Sequence, residues 1–205
     1  MRASPVILPS QAWCQDAKGT PFSFDAFLER ITVFHGYPAP GLVIAGKMVD
    51  LALAATPYGC LFDAIAETGN CLPDAIQMLT PCTVGNGWLK VLDLGRFALA
   101  LYDKQTGRGV RVFLHPRKVA DWQEIDSWFF KRRPKAQQDS QRLLTEIQRA
   151  GGSILQAEKI QVHPRVMIKH SVGTRALCAQ CGESYPQKHG ALCRACKGAS
   201  PYTAV

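Results

Sequence analysis

A chain of 205 residues, 47% of them apolar, can bury a full domain core plus a small module and needs no disulfide staples to do so. Lys and Arg outnumber Asp and Glu by 24 to 16, for a formal charge of +8. The excess is one-sided: nine basic and nine acidic side chains up to residue 115, fifteen and seven after it, a distribution that favours an acidic partner.

The first ten residues hold only Val6, Ile7 and Leu8 between two prolines, too short for the apolar core of an export signal. Ser23 then precedes Phe24, Phe27, Leu28, Ile31 and Phe34, a spacing that predicts a capped helix ending near Gly36 with His35 in its last turn. Pro40 and Gly41 open a second helix over 42–55, apolar enough to be buried on most sides. It is the longest apolar stretch, yet Lys47 and Asp50 interrupt it, and it falls short of the roughly 20 residues that span a bilayer. These features predict a soluble, cytoplasmic protein with no membrane contact, whose cysteines stay reduced.

Residues 60–67 read as a strand, and Asn70 is placed to cap a helix from Cys71 with Leu72, Ala75, Ile76 and Leu79 on one face. After Gly85-Asn86-Gly87, residues 88–93, 97–102 and 110–114 read as strands of an antiparallel meander. No regular βαβ alternation is visible, so the fold class is α+β, with helices packed on a mainly antiparallel sheet over residues 15–115. Asp121 and Glu124 suggest a capping box for a helix bearing Trp122, Ile125 and Phe129; the run Lys131-Arg132-Arg133-Pro134-Lys135 ends it. A helix through Leu143, Leu144 and Ile147 stops at Gly151-Gly152, and 154–162 alternates as an edge strand would. Residues 116–172 thus form a helical and strand linker, and residues 173–205 a small zinc-ribbon-like module.

That module carries the clearest chemistry. Cys178-Ala-Gln-Cys181 and Cys193-Arg-Ala-Cys196 are separated by eleven residues that include Gly182, Pro186 and Gly190, so four thiolates can close tetrahedrally on one zinc ion. Four sulfurs leave no open coordination position, which assigns the zinc to structure. Cys71, at a predicted helix start, is either a thiol activated by the helix dipole or a small buried hydrophobe. His35 is either a helix-end cap or a ligand or acid-base group, and spacing does not show whether the two meet. Cys14, Cys60 and Cys82 lack ligand spacing and read as core. The Lys131–Lys135 run suits either nucleic acid, an acidic protein face or plain solvent. Neither GxxxxGK[ST], GxGxxG nor GxSxG occurs, which removes the usual phosphate-binding and serine-hydrolase readings.

Several segments in order resemble the FmdE family, named for a component of formylmethanofuran dehydrogenase: Phe34-His35-Gly36 with Pro40-Gly41-Leu42-Val43, Glu67-Thr68, Cys71 through Gln77, Cys82-Thr83-Val84-Gly85-Asn86-Gly87, and Tyr102-Asp103 through Val112. Many members end in a four-cysteine zinc module. The family opens on His-Gly-His-x-Cys-Pro-Gly, and here Tyr37 and Ala39 replace the second histidine and the cysteine, leaving His35 and Cys71 as the surviving members of a metal or thiol site. The resemblance implies a metal-binding accessory protein, companion to a molybdenum or tungsten enzyme of one-carbon metabolism, with a small-molecule or metal pocket at His35 and Cys71. Competing readings are a thiol enzyme with Cys71 as nucleophile and His35 as base, and, less favoured, a zinc-ribbon nucleic-acid binder. Trp122, Trp128, Phe129 and Phe130 crowd one segment, which points to a homodimer surface.

Overall fold

The computed structural model describes residues 12–57, 59–169 and 171–203; the stretch read for an export signal lies outside them. The chain divides into two compact units, Met1–Met167 and Ile168–Val205. Among the described residues no helix is long and apolar enough to cross a membrane.

In the first unit a short ladder pairs β1 (Cys14–Gln15) with β2 (Pro21–Phe22) and leads into α1 (Phe24–His35). Ser23 caps α1, its Oγ accepting from the Ala26 N–H at 3.2 Å. Gly36 ends the helix at φ 92°, a left-handed conformation that costs glycine little. The buried stripe is narrower than predicted: Phe27 and Ile31 are inside, whereas Phe34 is 52% exposed. Next, α2 (Pro40–Ala54) buries Leu42, Val43, Ile44, Ala45, Met48, Val49 and Ala52. The two charges that interrupt its apolar run are paired: Lys47 Nζ lies 2.9 Å from the Asp50 carboxylate and donates to the Trp13 carbonyl at 2.7 Å. Asp50 also accepts the Gln15 N–H, so both side chains tie the N-terminal ladder to α2.

The sheet has five strands in the order β4-β3-β5-β6-β7. They are β3 (Phe62–Ala66), β4 (Leu89–Val91), β5 (Ala98–Asp103), β6 (Arg108–Leu114) and β7 (Leu155–Gln161). Pairing is antiparallel from β3 to β7, but β4 runs parallel to β3. The predicted meander is therefore corrected at its first member: the chain leaves β3, crosses through α3 (Leu72–Leu79) and returns as β4 on β3's outer side. A helical crossover returns the chain in the same direction, so one βαβ unit is present where none was predicted.

Residues after 115 fold back into the same core. α4 (Pro116–Val119), α5 (Gln123–Phe129) and α6 (Ser140–Ala150) precede β7, the edge strand, and α7 (Pro164–Met167) follows it. Ile125, Leu143, Ile147 and Leu155 join the hydrophobic cluster centred on α2. The predicted capping box at Asp121 and Glu124 does not form. Instead the Glu146 carboxylate on α6 accepts the N–H groups of Glu124 (2.8 Å) and Ile125 (3.2 Å), capping α5 from a neighbouring helix. Trp122, Trp128 and Phe129 pack against the core, leaving Phe130 as the member of that aromatic segment exposed to 43%.

One sheet face carries Ala64, Ala66, Leu99, Leu101, Val110 and Val112 against the helices. On the other, Ile65, Ala100, Tyr102 and Val162 form a smaller cluster with Ile160, Val166 and Met167. At the end of β3 the buried Glu67 carboxylate receives Arg111 Nε at 2.7 Å and Nη2 at 2.9 Å, and Arg96 Nε at 2.7 Å. Arg111 also reaches Glu158 at 2.9 Å, so one network spans β3, β6 and β7.

Burial pushes the Glu67 pKa up, but hydrogen bonds and charge from Arg111 and Arg96 outweigh it and hold the carboxyl below its ordinary value. A depressed folded pKa adds stability that is present above the unfolded value and lost as pH falls through the folded one. We predict that Glu67→Gln costs about 2 kcal/mol at neutral pH and shows a shallower loss of stability than the parent between about pH 5 and about pH 3, measured by urea unfolding. A Cβ added at Gly46 would lie 2.2 Å from a Phe27 ring carbon, so Gly46→Ala should destabilise the first unit by about 2 kcal/mol or more in the same assay.

Candidate ligand cavity and zinc centre

The second unit is a hairpin of β8 (Arg175–Leu177) and β9 (Ser184–Pro186) followed by a helical turn at Ala195–Ala199. Its core consists of Cys178, Tyr185 and Cys193 with Ala176, Leu192 and Cys196 against them, far too little apolar surface to order a chain of this length unaided. The sulfurs of Cys178, Cys181, Cys193 and Cys196 lie within 4.8 Å of one another. A tetrahedral centre with Zn–S bonds of about 2.3 Å has sulfur–sulfur edges of about 3.8 Å, and Cys181 Sγ stands 3.8 Å from Cys193 Sγ. Backbone N–H groups point at the sulfurs, from Cys193 to Cys178 Sγ (3.5 Å) and from Cys196 to Cys193 Sγ (3.4 Å). The N–H of Cys193, then those of Cys181 and Gln180, lower the Cys178 pKa to about 6, while hydrogen bonding to Cys193 and burial push Cys196 up to about 12. A divalent cation that displaces the remaining protons is what such a cluster needs. The donor set fits zinc, which it holds in a closed structural site.

In the first unit, Cys71 sits outside α3, as its N-cap, and not in the first turn as predicted. Asn70 does not cap the helix either; its carbonyl accepts the Leu72 N–H at 2.6 Å across Cys71, which closes a γ-turn with Cys71 at φ 58° and ψ −47°. That turn is strained for any residue bearing a Cβ. The thiol is thereby aimed at the start of α2, where a Cβ added to Gly41 would lie 2.8 Å from Cys71 Sγ and 3.5 Å from the Trp128 ring. Gly41 is thus required by close approach.

Around this contact lies a cavity of about 860 Å³. The start of α2 and Cys71 form one side, Trp128 and the Lys131–Lys135 segment another, and Leu143 and Leu144 of α6 a third. Among the described residues the non-glycine positions with positive φ are Cys71 and Lys131 (φ 54°), and both border this cavity. Burial, followed by the Asp74 charge, raises the Cys71 pKa, with Lys131 opposing them. Desolvation and the Asp74 charge thus work against the thiolate that a dipole-activated Cys71 would need.

His35 does not border the cavity. Its Nδ1 lies 2.8 Å from Asp74 Oδ2, and its ring centroid is 5.0 Å from that of Tyr37; Gly36 takes the capping role. Asp74 stands one turn into α3 from Cys71, so the structure links histidine and thiol through α3 without a direct hydrogen bond. Cys14 and Cys82 are core residues, with burial pushing Cys14 up to about 12. Cys60 is not: it is half-buried and donates to Asp103 at 3.2 Å. A second cavity, about 700 Å³, opens beside Cys60 and Asp103; Asp103 there also accepts from the N–H groups of Gln105 and Thr106.

A family model described as FmdE, molybdenum formylmethanofuran dehydrogenase operon, matches residues 34–162. The chain belongs to the FmdE family. A second model, the FmdE treble clef zinc finger, matches residues 169–203, in keeping with a second cysteine pair at a helical turn. The crystal structure of a tungsten formylmethanofuran dehydrogenase FmdE-like protein from Syntrophus aciditrophicus is 50% identical, with a TM-score of 0.83 over 93% of this chain and 99% of that one. A probable S-adenosyl-L-methionine-binding protein of Archaeoglobus fulgidus is 29% identical over 194 residues, 83% of this chain and 52% of the relative. The chain therefore spans about half the length of that relative.

The FmdE match runs through α5 and α6, which supply Trp128, Leu143 and Leu144 to the Cys71 cavity, and on to the end of β7. Tyr37 and Ala39, where this FmdE chain departs from the family's opening motif, both border that cavity. Sequence reasoning missed Asp74 as the partner of His35, and missed Trp128 as a wall of the Cys71 site. The one available signal was the basic run that begins three residues after Trp128.

Cys193→Ser should remove the single equivalent of zinc and disorder residues 168–203 while the first unit keeps its fold, as read by elemental analysis and amide NMR. Because the Cys71 turn is strained, Cys71→Gly should be more stable than Cys71→Ala by about 1 kcal/mol in denaturant titration.

Proposed function

We propose that this FmdE protein is a cytoplasmic accessory protein of a molybdenum or tungsten enzyme system, whose first unit binds a small molecule beside Cys71 and whose zinc unit serves structure and docking. One observation carries the reading: a thiol held on a strained strand-to-helix turn at the wall of an 860 Å³ cavity, a size that suits an organic ligand. A metallated core is less favoured. Among the described residues the one group of three or more metal-ligating side chains is the zinc cluster, and the Nδ1 of His35 is engaged by Asp74. The thiol-enzyme reading needs a base at Cys71, and His35 makes no hydrogen bond to it. Arg132 pairs with Asp126, and Arg133 with Glu124, so much of the basic run is neutralised within the chain, which weighs against nucleic acid as partner. A homodimer through the Phe130 region remains part of the proposal.

The test uses the whole protein and Leu144→Trp, which fills the cavity. Incubation with a cell extract, followed by mass spectrometry of retained small molecules, should show a ligand on the parent that the variant loses. Elemental analysis should find about one metal per chain in both the parent and Cys71→Ser. A second metal that disappears in Cys71→Ser would overturn the small-molecule reading in favour of a metal site.

A further inference from the structure

The charged side chains that border the Cys71 cavity are Lys131, Arg133 and Lys135; no carboxylate is among them. Arg133 is committed inward, to Ser127 Oγ at 2.7 Å and Glu124 at 3.2 Å. Lys131 and Lys135 are exposed and pair with no carboxylate among the described residues. Lys131 Nζ instead stands 5.5 Å from the Trp128 ring centroid. The neighbouring acids are engaged elsewhere: Asp126 with Arg132, Asp74 with His35, and Asp139 as the cap of α6, accepting the N–H groups of Gln141 and Arg142. The amino end of α2, fifteen residues long, enters the same cavity with no side-chain cap, since its N-cap is Ala39. Its positive end adds to the two lysines. The remaining walls are mostly apolar or aromatic, Trp128, Leu143 and Leu144 among them, with Gln138 and Ser140 as uncharged polar members.

We infer that this cavity binds an organic anion, with a carboxylate or phosphate group at Lys131, Lys135 and the start of α2, and an apolar, planar body against Trp128 and Leu144. This inference rests on the proposed small-molecule site and names its ligand class. An inorganic oxoanion would fill only a small part of 860 Å³, and the apolar walls would gain nothing from it. A positive cavity with low-dielectric walls concentrates anions by roughly 10-fold to 10³-fold. It works against a sulfonium such as that of S-adenosylmethionine.

Alkylation of Cys71 tests both parts. Zinc-loaded full-length protein is treated at about pH 8.5 with iodoacetate, an anion, or iodoacetamide, its neutral counterpart, and Cys71 is followed by peptide mass spectrometry. The iodoacetate-to-iodoacetamide rate ratio at Cys71 should exceed that of free N-acetylcysteinamide by about tenfold. It should fall most of the way toward the free-thiol ratio in Lys131→Ala/Lys135→Ala, the start of α2 being unchanged, and below it in Lys131→Glu/Lys135→Glu. Naphthalene-1-carboxylate or 1-naphthyl phosphate should protect Cys71 from iodoacetamide, the better of the two naming the anionic group, whereas 1-naphthalenemethanol and acetate should not. A ratio equal to that of the free thiol, or equal protection by the alcohol or by S-adenosylmethionine, overturns the anion assignment while the open thiol site stands. Failure of both reagents to reach Cys71 overturns the site itself.

Discussion

Helix α2 touches other side chains at bare backbone, and the first unit is arranged around those contacts. Phe27 of α1 occupies the space that a Cβ at Gly46 would take, and Cys71 does the same at Gly41, with Trp128 in van der Waals contact beside it. A helix buried on nearly all sides has no polar face to offer solvent, so its neighbours must come close enough to exclude water. Two glycines a turn and a half apart allow that approach on either side of the helix. The contact that packs α1 and the contact that frames the Cys71 cavity are thus two instances of one constraint.

Charge is handled differently in the two halves of the first unit. Toward the sheet, Glu67 is held by Arg111 and Arg96, a buried carboxylate made tolerable by two guanidinium groups. Toward α5 and α6, Glu124 and Asp126 neutralise Arg133 and Arg132, while Lys131 and Lys135 keep their charge at the cavity mouth. Part of the excess positive charge of the second half is thus left at Lys131 and Lys135, which border the same cavity as Cys71.

The two units owe their order to different physics. The first buries a continuous cluster reaching from Trp13 to Leu155 and is stabilised by apolar area. The second surrounds one tyrosine with cysteines, so metal coordination stands in for a core, and its folding is linked to zinc and to the protons that zinc displaces.

What the sequence by itself determined was local. The CxxC pairs named the zinc ligands, the 3.6-residue periodicity placed α1, α2, α3 and α6, and the alternation at 154–162 marked the edge strand, because each signal lies within a few residues of its cause. Motif order identified the family, and with it Cys71 and His35, but not how they stand to each other. Only the tertiary structure decided that β4 lies parallel to β3, that Glu146 caps α5, and that His35 pairs with Asp74. It also brought Cys71, Gly41, Trp128 and Lys131 to one cavity. Each of these depends on residues distant in the chain meeting across the core, and neither spacing nor periodicity along one segment carries the position of another.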